Sequence, residues 1–422
     1  MAADYLRGLA AARAAGNPRG ITSVCSSHPE VIAAALAQGR KAERVVLIEA
    51  TCNQVNQHGG YTGMQPVDFR RFVEGVAAQQ GFDTKNLILG GDHLGPNPWK
   101  QLAADVAMEN ACQMVAAYAA AGFTKIHLDT SMSCAGDPPQ LPEEIVAARA
   151  ARLAVIAEKH ATDARPVYVI GTEVPVPGGA LDVVDALCVT TPMAARTTVL
   201  LHRDAFAKVG IDHAFARVVG LVVQPGVEFG NENVVPYSAV AAQDLVSAFR
   251  TSDMVFEAHS TDYQTPDALK ALVRDGFAIL KVGPGLTFAL RGALYGLDCI
   301  ADHLFAGPGA SLRNTMEQVM LDQPNHWQNY YTGIPAHQKL QRHFSYSDRI
   351  RYYWSAKTAN NAVTRLLGHF GDMRIPDPLI SQFLGKFYDD VVSGALAPTA
   401  PAILRASLSR VLDCYTDACE GK

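Results

Sequence analysis

Eight short runs of β-branched and apolar residues recur between residues 21 and 282: Ile21-Cys25, Val45-Glu49, Leu87-Leu89, Lys125-Leu128, Val167-Ile170, Val218-Val223, Met254-Ala258 and Ala278-Val282. Between them lie alanine-rich stretches with helical spacing, such as SHPEVIAAALAQG and VAMENACQMVAAYAAAG. Strands that alternate with helices argue for a parallel sheet covered by helices. Eight is also the number that closes a (β/α)₈ TIM barrel, which would end here near residue 305. A doubly wound open sheet is the rival, but no G-x-G-x-x-G follows the first run, which weakens its dinucleotide-binding form. The barrel is the expected fold.

Local signals punctuate the helices. Ser27 with Glu30 reads as a capping box, and Thr191-Pro192 and Thr265-Pro266 place proline where a helix can begin. Gly39, Gly122 and Gly276 are read as closing helices. After about residue 305 the texture changes. FAGPGASLRN reads as a break, and the remainder is aromatic, polar and mostly helical. The expected organisation is a barrel over 1–305 and a helical C-terminal extension over 306–422, packed on the barrel or serving an oligomer contact.

Composition narrows the function classes. With 49% hydrophobic and 18% charged residues the chain can bury a sizeable core, and a net charge of −5 leaves no basic footprint for nucleic acid or anionic lipid. MAADYLRGLAAARAAG reads as an amphipathic helix rather than a signal peptide, and no run is apolar enough for a membrane span. Eight cysteines without a C-x-x-C pair fit reduced thiols in a cytoplasm. What composition leaves is a soluble globular chain with no nucleic-acid or membrane partner, expected to be a homo-oligomer.

In a barrel, function gathers where the strands end. Here those ends are unusually polar: Glu49 and Asn53 after the second run, Asp92-His93 after the third, Asp129 after the fourth, and Glu173 after the fifth. Gln224 and Glu228 follow the sixth, Glu257, His259 and Ser260 the seventh, and Lys281 closes the eighth. Two histidines with carboxylates or amides from separate strands make a divalent-metal site suited to zinc, manganese or cobalt. Such a metal can polarise a sugar carbonyl, while spare carboxylates such as Asp92 move protons. The bland readings are that Asp92 caps the GPNPW loop and that His127, on the same strand face as Asp129, is its hydrogen-bond partner. GPGLTFALRGAL, residues 283–294, could present backbone N–H groups to an anion, though no Walker loop is present.

The blocks GITSVCSSHPEVI, IEATCNQVNQHGGYTGMQPVDF, GGDHLGPNPW, HLDTSMSCAGD and RHFSYSDRIRYYW together resemble the tagatose-1,6-bisphosphate aldolase non-catalytic subunit family, over nearly the whole chain. That family is allied to the class II, metal-dependent ketose-bisphosphate aldolases. The resemblance implies Asp92 as the proton-moving group, His93 and His259 as metal ligands, and Glu173, six residues before Gly179, as ligand or acid–base group, with Asp129 a further acid–base candidate. It sets Gln224 where those aldolases carry a third metal histidine. Lys281-Val282-Gly283-Pro284 replaces their phosphate-binding Lys-Val-Asn, which weakens the case for a bisphosphate. Glu49, Asn53, Glu257, Ser260 and Lys281 are the expected substrate contacts, and zinc or manganese the expected cofactor. Three activities are implied: aldolase-like or C4-epimerase chemistry on a ketohexose or its phosphate, support of a separate class II aldolase catalytic subunit, or the tagatose-6-phosphate kinase activity for which some relatives are labelled.

Overall fold

A computed structural model describes residues 3–162, 164–171, 187–305 and 311–421. Its strands are β1 (Ile21–Cys25), β2 (Val46–Thr51), β3 (Leu87–Leu94), β4 (Lys125–Leu128), β5 (Val167–Ile170), β6 (Val218–Val222), β7 (Glu228–Phe229), β8 (Val234–Val235), β9 (Val255–Ala258) and β10 (Phe277–Val282). Eight of them close a parallel barrel in the order β1-β2-β3-β4-β5-β6-β9-β10, with β10 returning to β1. This is the (β/α)₈ architecture that the alternation calls for. The antiparallel pair β7–β8 is an insertion after β6, in the stretch EFGNENVV.

The barrel interior is layered. Near the N-terminal ends of the strands, Ile21, Leu47, Ile88, Val167, Val255 and Ile279 form one apolar cluster with Leu6 and Leu9 of the first helix, Ala3–Ala14. Each such aliphatic side chain contributes about 1.5–3 kcal/mol when fully removed from water. Above that layer the lining turns charged, with Ser23, Glu49, Lys125, Glu257 and Lys281 all buried.

Several local expectations change. β3 does not stop at Leu89 but continues through Gly-Gly-Asp-His to Leu94, so Asp92 and His93 sit inside a barrel strand. Its pairing with β4 shifts register between Gly91 and Leu94, and His93 has φ of 50°. A Cβ at Gly90 would lie 2.3 Å from a Glu49 carboxylate oxygen, so any side chain there has to displace that carboxylate. The cap of helix Pro29–Lys41 is His28, whose Nδ1 accepts from the Glu30 N–H at 3.3 Å, rather than Ser27. Gly39 lies within that helix rather than ending it. A Cβ there would meet the Val46 side chain at 2.2 Å. Thr191 and Thr265 do cap their helices, each accepting from the N–H three residues on at 3.2 Å.

The described helices after residue 311 return to the barrel. The last one, Ala400–Glu420, packs against helices Pro29–Lys41, Pro266–Arg274 and Pro284–Leu304, and the Gly20 N–H donates to the Cys419 carbonyl. Among the described residues no helix is long and apolar enough to cross a membrane.

Candidate active site

The charged layer is built by pairing. Lys125 Nζ lies 2.6 Å from Glu49 and 2.7 Å from Glu257, while Lys281 Nζ contacts Glu49 and lies 2.7 Å from Asp92 Oδ1. Ser23 Oγ donates to Glu49 at 2.5 Å. Burial raises a carboxyl pKa and lowers an ammonium one, yet the mutual fields win. Glu257 and Asp92 are held well below the usual carboxylate range, Glu49 is lowered, and both lysines are raised.

On this layer stand three imidazoles. The rings of His93, His127 and His259 have centroids 4.8 to 5.2 Å apart. Each has one nitrogen on a carboxylate: His93 Nδ1 on Asp129 at 2.8 Å, His127 Nδ1 on Asp92 at 2.9 Å, and His259 Nε2 on Glu257 at 3.0 Å. That anchoring fixes each ring, the pattern typical of metal-binding histidines, while the second nitrogen of His93 lies 3.7 Å from Asp92 Oδ2. His127 Nε2 is buried and has no hydrogen-bond partner among the described residues. For His93, burial disfavours the charged ring but the adjacent Asp92 and Asp129 raise its pKa, whereas burial drives His259 down to about 4. Burial acting upward on Asp129 is overcome by His93, which brings it to about 2.

The cluster fits a divalent cation on two counts. Donor atoms of Asp92, His127, Glu257 and His259 all lie within 4.8 Å of one another, a mixed nitrogen and oxygen set suited to zinc or manganese. Charge balance agrees. Glu49, Asp92, Asp129 and Glu257 are buried against the ammonium groups of Lys125 and Lys281 and the His93 ring, whose pKa its carboxylates raise, so even with His93 charged one carboxylate remains in excess. Buried charge demands such compensation.

A cleft opens over the cluster, lined by Asp92, His93, His259, Ser260, Lys281 and Asn53, among others. Ser260 has φ of 54°, the left-handed region that a non-glycine residue adopts at a cost of about 1–3 kcal/mol. Glu49, Glu257 and Asp129 do not line this cleft; they lie beneath it and orient Lys281 and the imidazoles. Gln224 does not join the cluster, because its Oε1 accepts from the N–H groups of Gly226 at 2.8 Å and Val227 at 3.0 Å and holds its own loop. Glu228 likewise turns to a backbone N–H, that of Phe229 at 2.9 Å. Glu173, with Gly178 and Gly179, lies outside the described residues.

Two features escape the sequence reading. His127 is the partner of Asp92 rather than of Asp129, which places it in the imidazole triad. Arg351 and Tyr352, from the extension, line the same cleft, so the extension does more than pack or mediate oligomer contacts. The block RHFSYSDRIRYYW carries that signal, but nothing local to it says which end of the barrel it covers.

Comparison with known proteins agrees with this architecture. The family model described as D-tagatose-1,6-bisphosphate aldolase subunit GatZ/KbaZ-like matches residues 6–420. A protein of Agrobacterium fabrum (strain C58 / ATCC 33970) named D-tagatose 6-phosphate 4-epimerase is 52% identical over 415 residues, 97% of each chain. A crystal structure of a probable tagatose 6 phosphate kinase from Sinorhizobium meliloti 1021 is 56% identical, covers 95% of this chain and 100% of its own, and superposes with a TM-score of 0.89. The chain belongs to the GatZ/KbaZ-like family of D-tagatose-1,6-bisphosphate aldolase subunits.

Proposed function

We propose that this chain is an enzyme that interconverts ketohexose 6-phosphates epimeric at C4, of the tagatose 6-phosphate and fructose 6-phosphate type. The observation that carries the reading is the cleft itself, where Asp92, Lys281 and carboxylate-anchored imidazoles meet at the mouth of a closed barrel. The relative named a 4-epimerase supports the choice of reaction.

Opening and resealing C3–C4 inverts C4 without net redox change. Asp92, ionised and fixed by the His93 N–H at 3.0 Å, accepts the proton of the C4 hydroxyl. The C3–C4 pair then passes to C3 as an enediolate, leaving an aldehyde at C4. Rotation of the aldehyde presents its other face, C3 adds to it, and Asp92 returns the proton. Lys281, beside Asp92, offers its ammonium to the developing oxygen charge. Glu173, implied by the family resemblance, is retained as the second acid–base group. His127, His259 and Glu257, whose donor atoms lie within 4.8 Å of one another, would hold a zinc or manganese ion, with Asp92 and His93 beside it; such an ion would supply Lewis-acid polarisation of ketose oxygens.

The second reading, support of a separate aldolase chain, rests on the family description. For the kinase reading, the barrel's helix N-terminus that could cradle nucleotide phosphates is filled by the protein's own Asp262, as detailed below. The test is carbon-13 NMR of D-tagatose 6-phosphate with the purified chain and added zinc or manganese. Appearance of D-fructose 6-phosphate, abolished by EDTA, is expected. Silence from an intact chain that nevertheless activates a class II aldolase would overturn the reading in favour of the subunit.

A further inference from the structure

We propose that the phosphate of the substrate is recognised by Arg351, seconded by Arg349, from the helical extension, and not by the barrel's own helix N-terminus. This rests on the sugar-phosphate reading above and names the residues that would confer it.

The barrel's usual anion site lies at a helix N-terminus after the last strands. Here helix Pro284–Leu304 begins there, but Asp262 Oδ1 already accepts from the N–H groups of Gly283 at 3.0 Å and Gly285 at 2.7 Å. A carboxylate held in that position excludes a phosphate by charge and by occupancy. The layer under the cleft is itself rich in carboxylates, so a dianion has to be held away from it.

The extension supplies what is missing. Among the described residues neither Arg349 nor Arg351 makes an ion pair, whereas the neighbouring Arg291 pairs with Asp348 at 2.9 Å. Both guanidinium groups are held in place. The Arg351 carbon Cζ stands 4.4 Å from the Tyr352 ring centroid, and Arg349 stands 3.3 Å from that of Tyr330. Arg351 Nη1 donates to the Ser347 and Asp348 carbonyls, and Nη2 to the Tyr352 hydroxyl at 2.9 Å. Among the described residues no acceptor takes its Nε–H or its second Nη2–H, the edge that binds phosphate in a bidentate fashion. Burial raises the Tyr352 phenol pKa, yet the guanidinium groups of Arg351 and Arg349 bring it below its usual value.

Position completes the case. Arg351 and Tyr352 line the cleft over Asp92 and His259. Arg349 lines an adjoining crevice of about 780 Å³, which shares Asn53, Tyr61 and Tyr352 with that cleft. With C3–C4 of a ketose at Asp92, its C6 end would run past Tyr61 and Tyr352 toward the guanidinium pair.

The test is isothermal titration, which needs no turnover. D-Tagatose 6-phosphate, D-tagatose and inorganic phosphate are titrated into the full chain, Arg351→Gln, Arg349→Gln and Asp262→Asn. Arg351→Gln is expected to weaken sugar-phosphate binding about 10- to 100-fold, the loss of a charge-assisted pair, with little change for the unphosphorylated sugar, and Arg349→Gln to do so less. If Arg351→Gln misfolds, Arg349→Gln and competition by inorganic phosphate against the sugar phosphate in the unaltered chain still decide. Unchanged affinity in both arginine variants, or phosphate binding that responds only to Asp262→Asn, would overturn the proposal whether or not the chain proves to be an epimerase. Arginine-dependent binding in a chain that does not epimerise would sustain it and overturn the reaction instead.

Discussion

Gly90 and Asp92 show how closely single residues are tied to the cluster. A methyl group at Gly90 would lie 2.3 Å from a Glu49 oxygen, so Gly90→Ala has to displace the carboxylate that both lysines share. Overpacking of this kind costs about 1–3 kcal/mol. We expect a folded chain with a lower melting temperature and activity reduced at least tenfold, read by calorimetry and by the NMR assay together. Asp92→Asn keeps the shape and removes the proton acceptor. It should lower kcat by about 10²–10⁴-fold and also lower the melting temperature, since the ionised carboxylate pairs with buried Lys281 and His127; kcat measured well below that melting temperature separates chemistry from folding. At this scale the sequence was informative where side-chain chemistry stands at a strand end: Asp92, His93, His259, Ser260, Asn53 and Lys281 all reach the cleft. It paired His127 with Asp129 instead of Asp92, because in sequence a histidine on that strand face looks the same whichever it meets.

Among the elements, the strands with β-branched runs were legible to within a residue or two, and β3 was not. Gly-Gly-Asp-His has little strand propensity, and only pairing with β2 and β4 extends the strand to Leu94. The β7–β8 pair was equally hidden, since two-residue strands show no periodicity. The helices carry a testable pH response. His202, in helix Pro192–Lys208, is fully buried, its Nδ1–H donates to the Thr198 carbonyl at 2.8 Å, and burial lowers its pKa to about 4. The unfolded chain binds a proton near pH 6.5 and the folded one does not. Its stabilising contribution is therefore full above pH 6.5 and is lost as pH falls from there to about 4, by about 3 kcal/mol in all. His202→Leu should flatten the pH dependence of denaturant unfolding over that window relative to the parent chain. An unchanged slope would show that the ring titrates alike in both states.

The whole molecule is a barrel completed by its extension. Asp348 joins the two, accepting from Arg291 Nε at 2.9 Å and Thr287 Oγ1 at 2.6 Å on helix Pro284–Leu304, one residue before Arg349. Asp348→Ala leaves Arg291 buried without its carboxylate, a loss of about 3–5 kcal/mol. Denaturant unfolding should show that loss, and limited proteolysis should show earlier cutting after residue 311. The joint cleft was not legible in the sequence, because Arg351 lies more than ninety residues from His259 and only the fold brings them together. The reaction at that cleft is tested most directly by stripping the chain of metal and titrating zinc or manganese back while following conversion of D-tagatose 6-phosphate. Turnover that is absent at first and levels off at one ion per chain, with Asp92→Asn inactive throughout, is the expected result. Equal turnover by the stripped and loaded chains would contradict a metal-assisted reaction at His127, His259 and Glu257.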